Sequence, residues 1–273
     1  MSSAEAAFFD DIVVPGSSEE PGQLPPPPAW LALTEGQRVV LEVLSLSVVR
    51  RLLNELPAGD GHPVMVLPGF LASDVYNGAL RRFLASLGYA VHGWGLGRNL
   101  GPRDGTLDRL RERFEDLHSR HGAPLTLVGH SLGGIFAREI AREYPGAVRQ
   151  VVSLGSPFGR GRRSGSYPAR LFAALNPDEE LPIDEDALHI APPVPTTAVY
   201  SKGDGIVNWK TAVQDRGLAP GPVQNIQIRG SHCGMTLNPT VWYLLADRLL
   251  QHPEDWRPFS TGTLARVLIP RRD

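Results

Sequence analysis

Residues 125–134 read Leu-Thr-Leu-Val-Gly-His-Ser-Leu-Gly-Gly, and the fold is decided there. The apolar run Leu125–Val128 has the length of a buried strand, and a helical pattern runs from Ile135 to Glu143. Between them lies Gly129-His130-Ser131-Leu132-Gly133, a G-x-S-x-G. A strand that turns through such a string directly into a helix holds the central serine at a strained tip, its hydroxyl lifted above the sheet edge. A side chain at Gly129 or Gly133 would collide with the neighbouring strand or helix. The turn also aims the Leu132 amide at the carbonyl the serine would attack. As a bare string the pattern arises by chance in roughly one chain in ten of this length. Framed by a strand and a helix it is far rarer, and it points to Ser131 as a nucleophile.

Outward from this turn, strands and helices alternate. Before it, Pro63–Leu67 reads as a short buried strand, and Ser73 or Asp74 as the cap of a helix reaching Leu87 and closed by Gly88. Tyr89–His92 is a second strand and Leu107–His121 a charged amphipathic helix. After it, the helix runs to Tyr144 and is closed by Pro145-Gly146. Arg149–Leu154, Thr197–Ser201 and Val223–Ile228 are further strands, and Asn238–Gln251 is a last helix before a tail containing Trp256. This rhythm predicts an α/β fold with a doubly wound, mostly parallel sheet of about six strands and helices on both faces. Residues 154–196 break the rhythm, so a small cap insertion is expected at about 156–195. No internal repeat is visible.

Residues 1–30 carry five acids (Glu5, Asp10, Asp11, Glu19, Glu20), no Lys or Arg, and four consecutive prolines at Pro25–Pro28. They are expected to form a mobile or surface-hugging arm. Residues 31–60 hold a helix to about Leu56, for which Thr34-Glu35-Gly36-Gln37 resembles an opening capping box. Apolar residues nearly surround that helix. The expectation is burial against the main domain, residues 61–273, with contact to lipid or a partner as the alternative.

With 273 residues, 42% of them apolar, the chain suits one large domain with insertions. A net charge of −2 offers no broad basic surface and speaks against nucleic acid. Cys233 is the only cysteine, which excludes an internal disulfide and a cysteine metal cluster and fits a reducing compartment. No cleaved secretion signal is visible. The longest apolar run, Val39–Val49, is interrupted by Glu42, flanked by Arg38 and Arg50, and too short to span a bilayer. A soluble, cytoplasmic protein is expected.

A serine hydroxyl needs an imidazole to take its proton, and the imidazole needs an acid to hold its tautomer. In a sheet of this kind the chain order is serine, acid, histidine, which leaves His189, His232 and His252. His189 lies in the insertion and His252 follows the last helix. His232 sits in Gly230-Ser231-His232-Cys233-Gly234, a mobile, Gly-flanked loop directly after the strand Val223–Ile228, where a base would be presented. The acid is Asp204, in Ser201-Lys202-Gly203-Asp204-Gly205-Ile206-Val207 at the end of another strand; Asp178, Asp184 and Asp186 compete by order but belong to the insertion. A turn aspartate satisfying its own backbone is the plain alternative. The loop Leu67-Pro68-Gly69-Phe70-Leu71 after the first strand can turn the Phe70 amide inward, where it would complete an oxyanion hole with that of Leu132.

Taken together, Pro68-Gly69-Phe70, the string from Gly129 to Gly134, Ser201–Val207 and Ser231-His232 resemble the α/β-hydrolase superfamily, specifically its small bacterial lipase/esterase-like members, over about residues 61–252. The resemblance implies Ser131 as nucleophile, Asp204 as acid, His232 as base and an oxyanion loop at Pro68–Phe70. It implies hydrolysis of carboxylic esters with neither metal nor organic cofactor. Two departures stand out. Lipases of this group often read His-Gly where this chain has Pro68-Gly69, and the two opening antiparallel strands are replaced by a helix.

For the substrate, Tyr167, Leu171 and Leu175 recur at helical spacing within the insertion, a stripe that either docks the cap or receives a hydrophobic acyl chain. Arg160, Arg162 and Arg163 are either solvated or face anionic head groups. Trp94 and Asn99, in a Gly-rich turn, either line the pocket or brace the turn. The expected partner is a small-molecule ester, with transient lipid-interface contact. Alternatives are an acyltransferase using the same triad with an alcohol acceptor, and a catalytically silent binding protein on a hydrolase scaffold. A dehalogenase would want a carboxylate at 131 and a polyester synthase a cysteine; the serine argues against both.

Overall fold

Apolar residues on both faces of every central strand require cover from both sides, and the computed structural model supplies it. It describes residues 24–103, 105–162, 164–176 and 187–260. The strands β1 (Pro63–Leu67), β2 (Ala90–Gly93), β3 (Leu125–His130), β4 (Val148–Leu154), β5 (Thr196–Ser201) and β6 (Val223–Ile228) form one sheet in the order β2-β1-β3-β4-β5-β6. All five pairings are parallel, so the sheet is parallel throughout its described strands.

Because successive side chains alternate across a strand, each strand feeds two cores. Val64, Val66, Val128, Val152, Val199 and Ile226 enter one, together with Leu80, Phe83, Leu244 and Leu245 of the covering helices α3 (Gly78–Ser86) and α7 (Pro239–Leu250). Met65, Leu67, Leu127, Val151 and Ala198 enter the other, under Leu110, Phe114, Ile135 and Phe136 of α4 (Thr106–His121) and α5 (Leu132–Glu143). The chain leaves β1 toward one edge of the sheet and returns through β3 toward the other. The strand order therefore reverses between these two neighbours, whose register pairs Leu67 with Gly129. A crevice at the carboxyl ends of the strands opens at such a reversal.

Most strand and helix ends fall within a residue or two of expectation; two expectations fail and a third holds only in part. The capping box does not form. A short helix, α1 (Ala29–Leu33), precedes α2 (Glu35–Leu53), and the Thr34 hydroxyl between them donates backward to the Trp30 carbonyl at 2.8 Å. Neither Ser73 nor Asp74 caps α3, which begins only at Gly78; the Asp74 carboxylate instead accepts the Trp94 and Gly95 amides of the turn after β2, both at 3.0 Å.

The third concerns burial of α2. Leu46 and Leu53 enter the core, but Val40, Leu41, Leu44, Val48 and Leu52 face solvent, as do Trp30 and Leu33 just before the helix; Val48 is 80% and Leu33 82% exposed. The inward positions are taken by Glu35 and Glu42, 6% and 8% exposed.

Of the arm, residues 24–28 lie along the surface: Asn208 donates to the Pro25 carbonyl at 2.9 Å and the Tyr167 hydroxyl to that of Pro27 at 2.8 Å. Residues 1–23 fall outside the described part, as do Arg163 and residues 177–186 with Asp178, Asp184 and Asp186. Among its described residues the insertion carries one helix, α6 (Ala169–Leu175), none of whose residues is buried. Tyr167 and Leu171 are 42% and 47% exposed, so this stripe does not dock the cap. What ties the insertion down is Arg138 of α5, fully buried, whose guanidinium donates to the Ile190 carbonyl at 2.9 Å and to Gln214 at 3.1 Å. Burial pushes this guanidinium down to about 9. No helix among the described residues is long and apolar enough to cross a membrane.

Candidate active site

The elbow is built as its residue types require. β3 ends at His130 and α5 begins at Leu132, leaving Ser131 alone to reverse the chain, at φ 52° and ψ −121°. A side chain in that region costs of order 1–3 kcal/mol and persists only where its surroundings enforce it. Here the Ser131 amide is tied to the Leu154 carbonyl of β4 at 2.8 Å. A methyl group at Gly129 would overlap Gly134, and one at Gly133 would overlap the Leu67 carbonyl. Both glycines are thus demanded by close approach.

The loop after β1 lies against this turn. A Cβ on Gly69 would stand 3.1 Å from that of Ser131. Leu71 is the other non-glycine residue with positive φ among the described residues, at 64°. Its conformation is held by Asn99, whose side chain donates to the Pro68 carbonyl at 2.8 Å and whose backbone carbonyl accepts from Leu71 at 2.7 Å. Asn99 is fully buried and therefore a brace for the loop carrying Phe70 rather than a pocket wall. Trp94 does not line a pocket either. It is 1% exposed in the core beside α4 and donates its indole N–H to the Gly97 carbonyl at 2.9 Å. Phe70 itself is half-buried, and its ring meets Phe172 of α6 edge-on at 5.4 Å, joining the loop to the insertion; Leu132, across from it, is buried.

Asp204 and His232 come from the ends of β5 and β6 and meet at 2.6 Å, Oδ2 to Nδ1, both 4% exposed. The other carboxylate oxygen of Asp204 accepts the amides of Ile206 at 2.9 Å and Val207 at 2.7 Å, so local turn bonds orient it toward the histidine. A carboxylate only accepts, so Nδ1 carries the proton and Nε2 keeps a lone pair. Burial works against charge on His232, but the Asp204 carboxylate beside it, its hydrogen bond and the charge of Glu35 outweigh burial and hold the imidazole above its ordinary value. Beside it, burial drives His130 down to about 3, which keeps that ring neutral; its Nε2–H donates to the His232 carbonyl at 3.0 Å. His252 is exposed beyond α7, and His189 stays in the insertion.

The loop carrying His232 is pinned, not mobile. Glu42 Oε1 accepts the Ser231 amide at 2.8 Å and Oε2 its hydroxyl at 2.6 Å. Glu35 accepts the amides of His232 at 3.1 Å and Cys233 at 2.9 Å, and the Tyr76 hydroxyl donates to the Cys233 carbonyl. Burial pushes the Cys233 thiol up to about 12, so it is inert as a nucleophile. Sequence reasoning missed these supports; their one visible sign is Glu42 interrupting an apolar helical run. Among the described residues no group of three or more His, Cys, Asp or Glu side chains is placed to hold a metal ion.

Residues 62–190 match the family model described as the alpha/beta hydrolase fold. The crystal structure of Aspergillus fumigatus lipase B superposes with a TM-score of 0.53 at 17% identity, over 80% of this chain and 60% of that one. A structure of LipS and LipT, two metagenome-derived lipolytic enzymes, gives 0.53 at 17% identity over 71% of this chain and 93% of that one. The human lysosomal phospholipase A and acyltransferase is 36% identical over 55 residues, which span 18% of this chain and 13% of that enzyme.

Proposed function

We propose that the chain, whose residues 62–190 match the alpha/beta hydrolase fold model, is a member of that superfamily and a serine hydrolase cleaving carboxylic esters of moderately hydrophobic acyl chains. The observation that carries this reading is the buried Asp204–His232 pair at 2.6 Å, raised on the same rim of the sheet as the strained Ser131. His232 Nε2 takes the Ser131 proton as Oγ attacks the ester carbonyl, while Asp204 stabilises the imidazolium that forms. The Phe70 and Leu132 amides donate to the oxyanion, each such donor contributing roughly 3 kcal/mol in the transition state. His232 then protonates the leaving alcohol, leaving Ser131 acylated. The same imidazole activates water to release the acid and free Ser131. Filled positions at serine, acid and base weigh against a silent binding protein.

A panel of p-nitrophenyl esters of graded chain length, beside a triglyceride emulsion, tests the reading. Turnover is expected to peak at medium chains and to fall by about 10⁴-fold or more in folded Ser131→Ala. Turnover near wild type in that variant would contradict it. The outward apolar residues of α1 and α2 support transient contact with the lipid interface, read as a jump in rate when the emulsion forms.

A second reading, transfer of the acyl group to an alcohol, is favoured by the short match to the human phospholipase and acyltransferase. Partitioning of product between free acid and a new ester, in water containing a short alcohol, separates the two.

A further inference from the structure

We propose that Glu35 and Glu42 are positioning residues: from one inward face of α2 they hold the Asp204 loop and the His232 loop in mutual register. The inference rests on the triad reading above and extends it to a helix outside the sheet.

Glu35 bridges both loops. Its Oε1 accepts the amide of Gly205, the residue after Asp204, at 2.9 Å, and that of His232 at 3.1 Å; its Oε2 accepts Cys233 at 2.9 Å. Arg38, one turn on, pairs with Glu35 at 2.8 Å and donates to the carbonyl of Gly203, the residue before Asp204. One helical turn therefore grips the chain on both sides of the acid, and holds the base's own amide together with the one after it. Seven residues beyond Glu35, two turns on the same face, Glu42 takes the Ser231 amide and hydroxyl and the Asn238 side chain, the last at 3.2 Å. Ser231 Oγ in turn accepts the Gly234 amide at 3.0 Å, and a side chain at Gly234 would overlap the Glu42 carboxylate. The glycines flanking His232 thus admit a buried acid and do not loosen the loop.

Ordinary amphipathic packing does not account for this. A helix laid on a core turns leucines inward; α2 turns two carboxylates inward beside Leu46 and Leu53 and leaves Val40, Leu41 and Val48 in solvent. Burying a carboxylate is costly unless hydrogen bonds satisfy it, and these are satisfied by the backbone of the very loops that carry the acid and the base. Around His232 stand Asp204 from the loop after β5, Glu35 and Glu42 with Arg38 from α2, His130 from β3, Tyr76 from the segment before α3, and neighbouring Cys233. Of the carboxylates, Asp204 and Glu35 favour its charged form. Glu35 would thus both align the imidazole and stabilise the cation that forms as Ser131 attacks.

Glu35→Gln in the full chain tests this. The amide keeps the shape but removes the charge and sets an N–H₂ against backbone N–H donors. Three readouts are taken: kcat and KM on p-nitrophenyl butyrate, the rate of Ser131 phosphonylation by a fluorophosphonate, and the acidic limb of the kcat/KM profile. The expected result is a fall of about 10- to 100-fold in kcat and labelling rate, KM within about threefold, and an acidic limb moved to lower pH. Glu42→Gln is expected to lower kcat without moving that limb. Glu35→Asp keeps the charge and shortens the reach, so kcat is expected to fall with the limb in place; it also supplies the test if Glu35→Gln does not fold. A lower Tm with kcat, labelling and limb all retained would show an anchor that merely stabilises, and would overturn the inference. So would wild-type kcat in Glu35→Asp should Glu35→Gln be unfolded. A wild type that neither hydrolyses nor labels overturns the function reading and this inference with it; an active wild type matched by Glu35→Gln overturns this inference alone.

Discussion

At the scale of single residues, the legible part of the site is the part written in short strings. Ser131 is announced by its glycines, and His232 and Asp204 by glycines at strand ends, because tight turns impose composition over five or six consecutive positions. Glu35 and Glu42 leave no such trace. Their partners in the two loops lie 170 to 198 residues further along the chain, and apart from Glu42's interruption of an apolar run nothing local distinguishes them from solvated acids. Trp94 and Asn99 admit two readings in the sequence for a related reason, and the structure selects the brace: a Gly-rich turn marks a bend without saying whether its large residues face a pocket or a core. The geometry has a pH consequence. The base must be neutral to act, and the Asp204 and Glu35 charges raise His232 above its ordinary 6.5 despite burial. Activity is therefore lost as pH falls through a value above 6.5, and a kcat/KM profile on a non-ionising ester is expected to show its acidic limb there. A limb below 6.5 would mean the carboxylates do not act on the base.

At the scale of elements, α2 departs most from what its composition suggests. Nearly all-round apolarity was read as burial, yet the inward stripe is narrow and shared with carboxylates. The capping string failed because a preceding helix, α1, already supplied the acceptor for Thr34. Asp74 failed as a cap because a distant turn, at Trp94 and Gly95, used both its oxygens. In each case a tertiary partner displaced a local one. The division of α2 into two faces predicts unequal mutational costs. Leu53→Ala, at 1% exposure, is expected to cost about 2–5 kcal/mol in urea unfolding. Val48→Ser, at 80% exposure, is expected to stay within about 0.5 kcal/mol. Equal costs would mean that the outward face is covered after all.

At the scale of the molecule, the sheet was readable because each strand is a short apolar run bounded by glycine, proline or polar residues, and because regular alternation with helices leaves few topologies. The strand order adds what no local pattern contains: the reversal between β1 and β3 places Gly69 against Ser131 and gathers the ends of β5 and β6 along the same rim. On the proposed reading, hydroxyl, imidazole and carboxylate, spread over about a hundred positions, meet along that rim, with α2 holding the two later loops against each other. Intact-mass spectrometry after exposure to a fluorophosphonate tests that convergence most directly. One phosphonyl adduct is expected on the wild type, and none on a folded Ser131→Ala variant under the same conditions. A folded wild type that remains unmodified, or a Ser131→Ala variant that labels equally, would contradict the account.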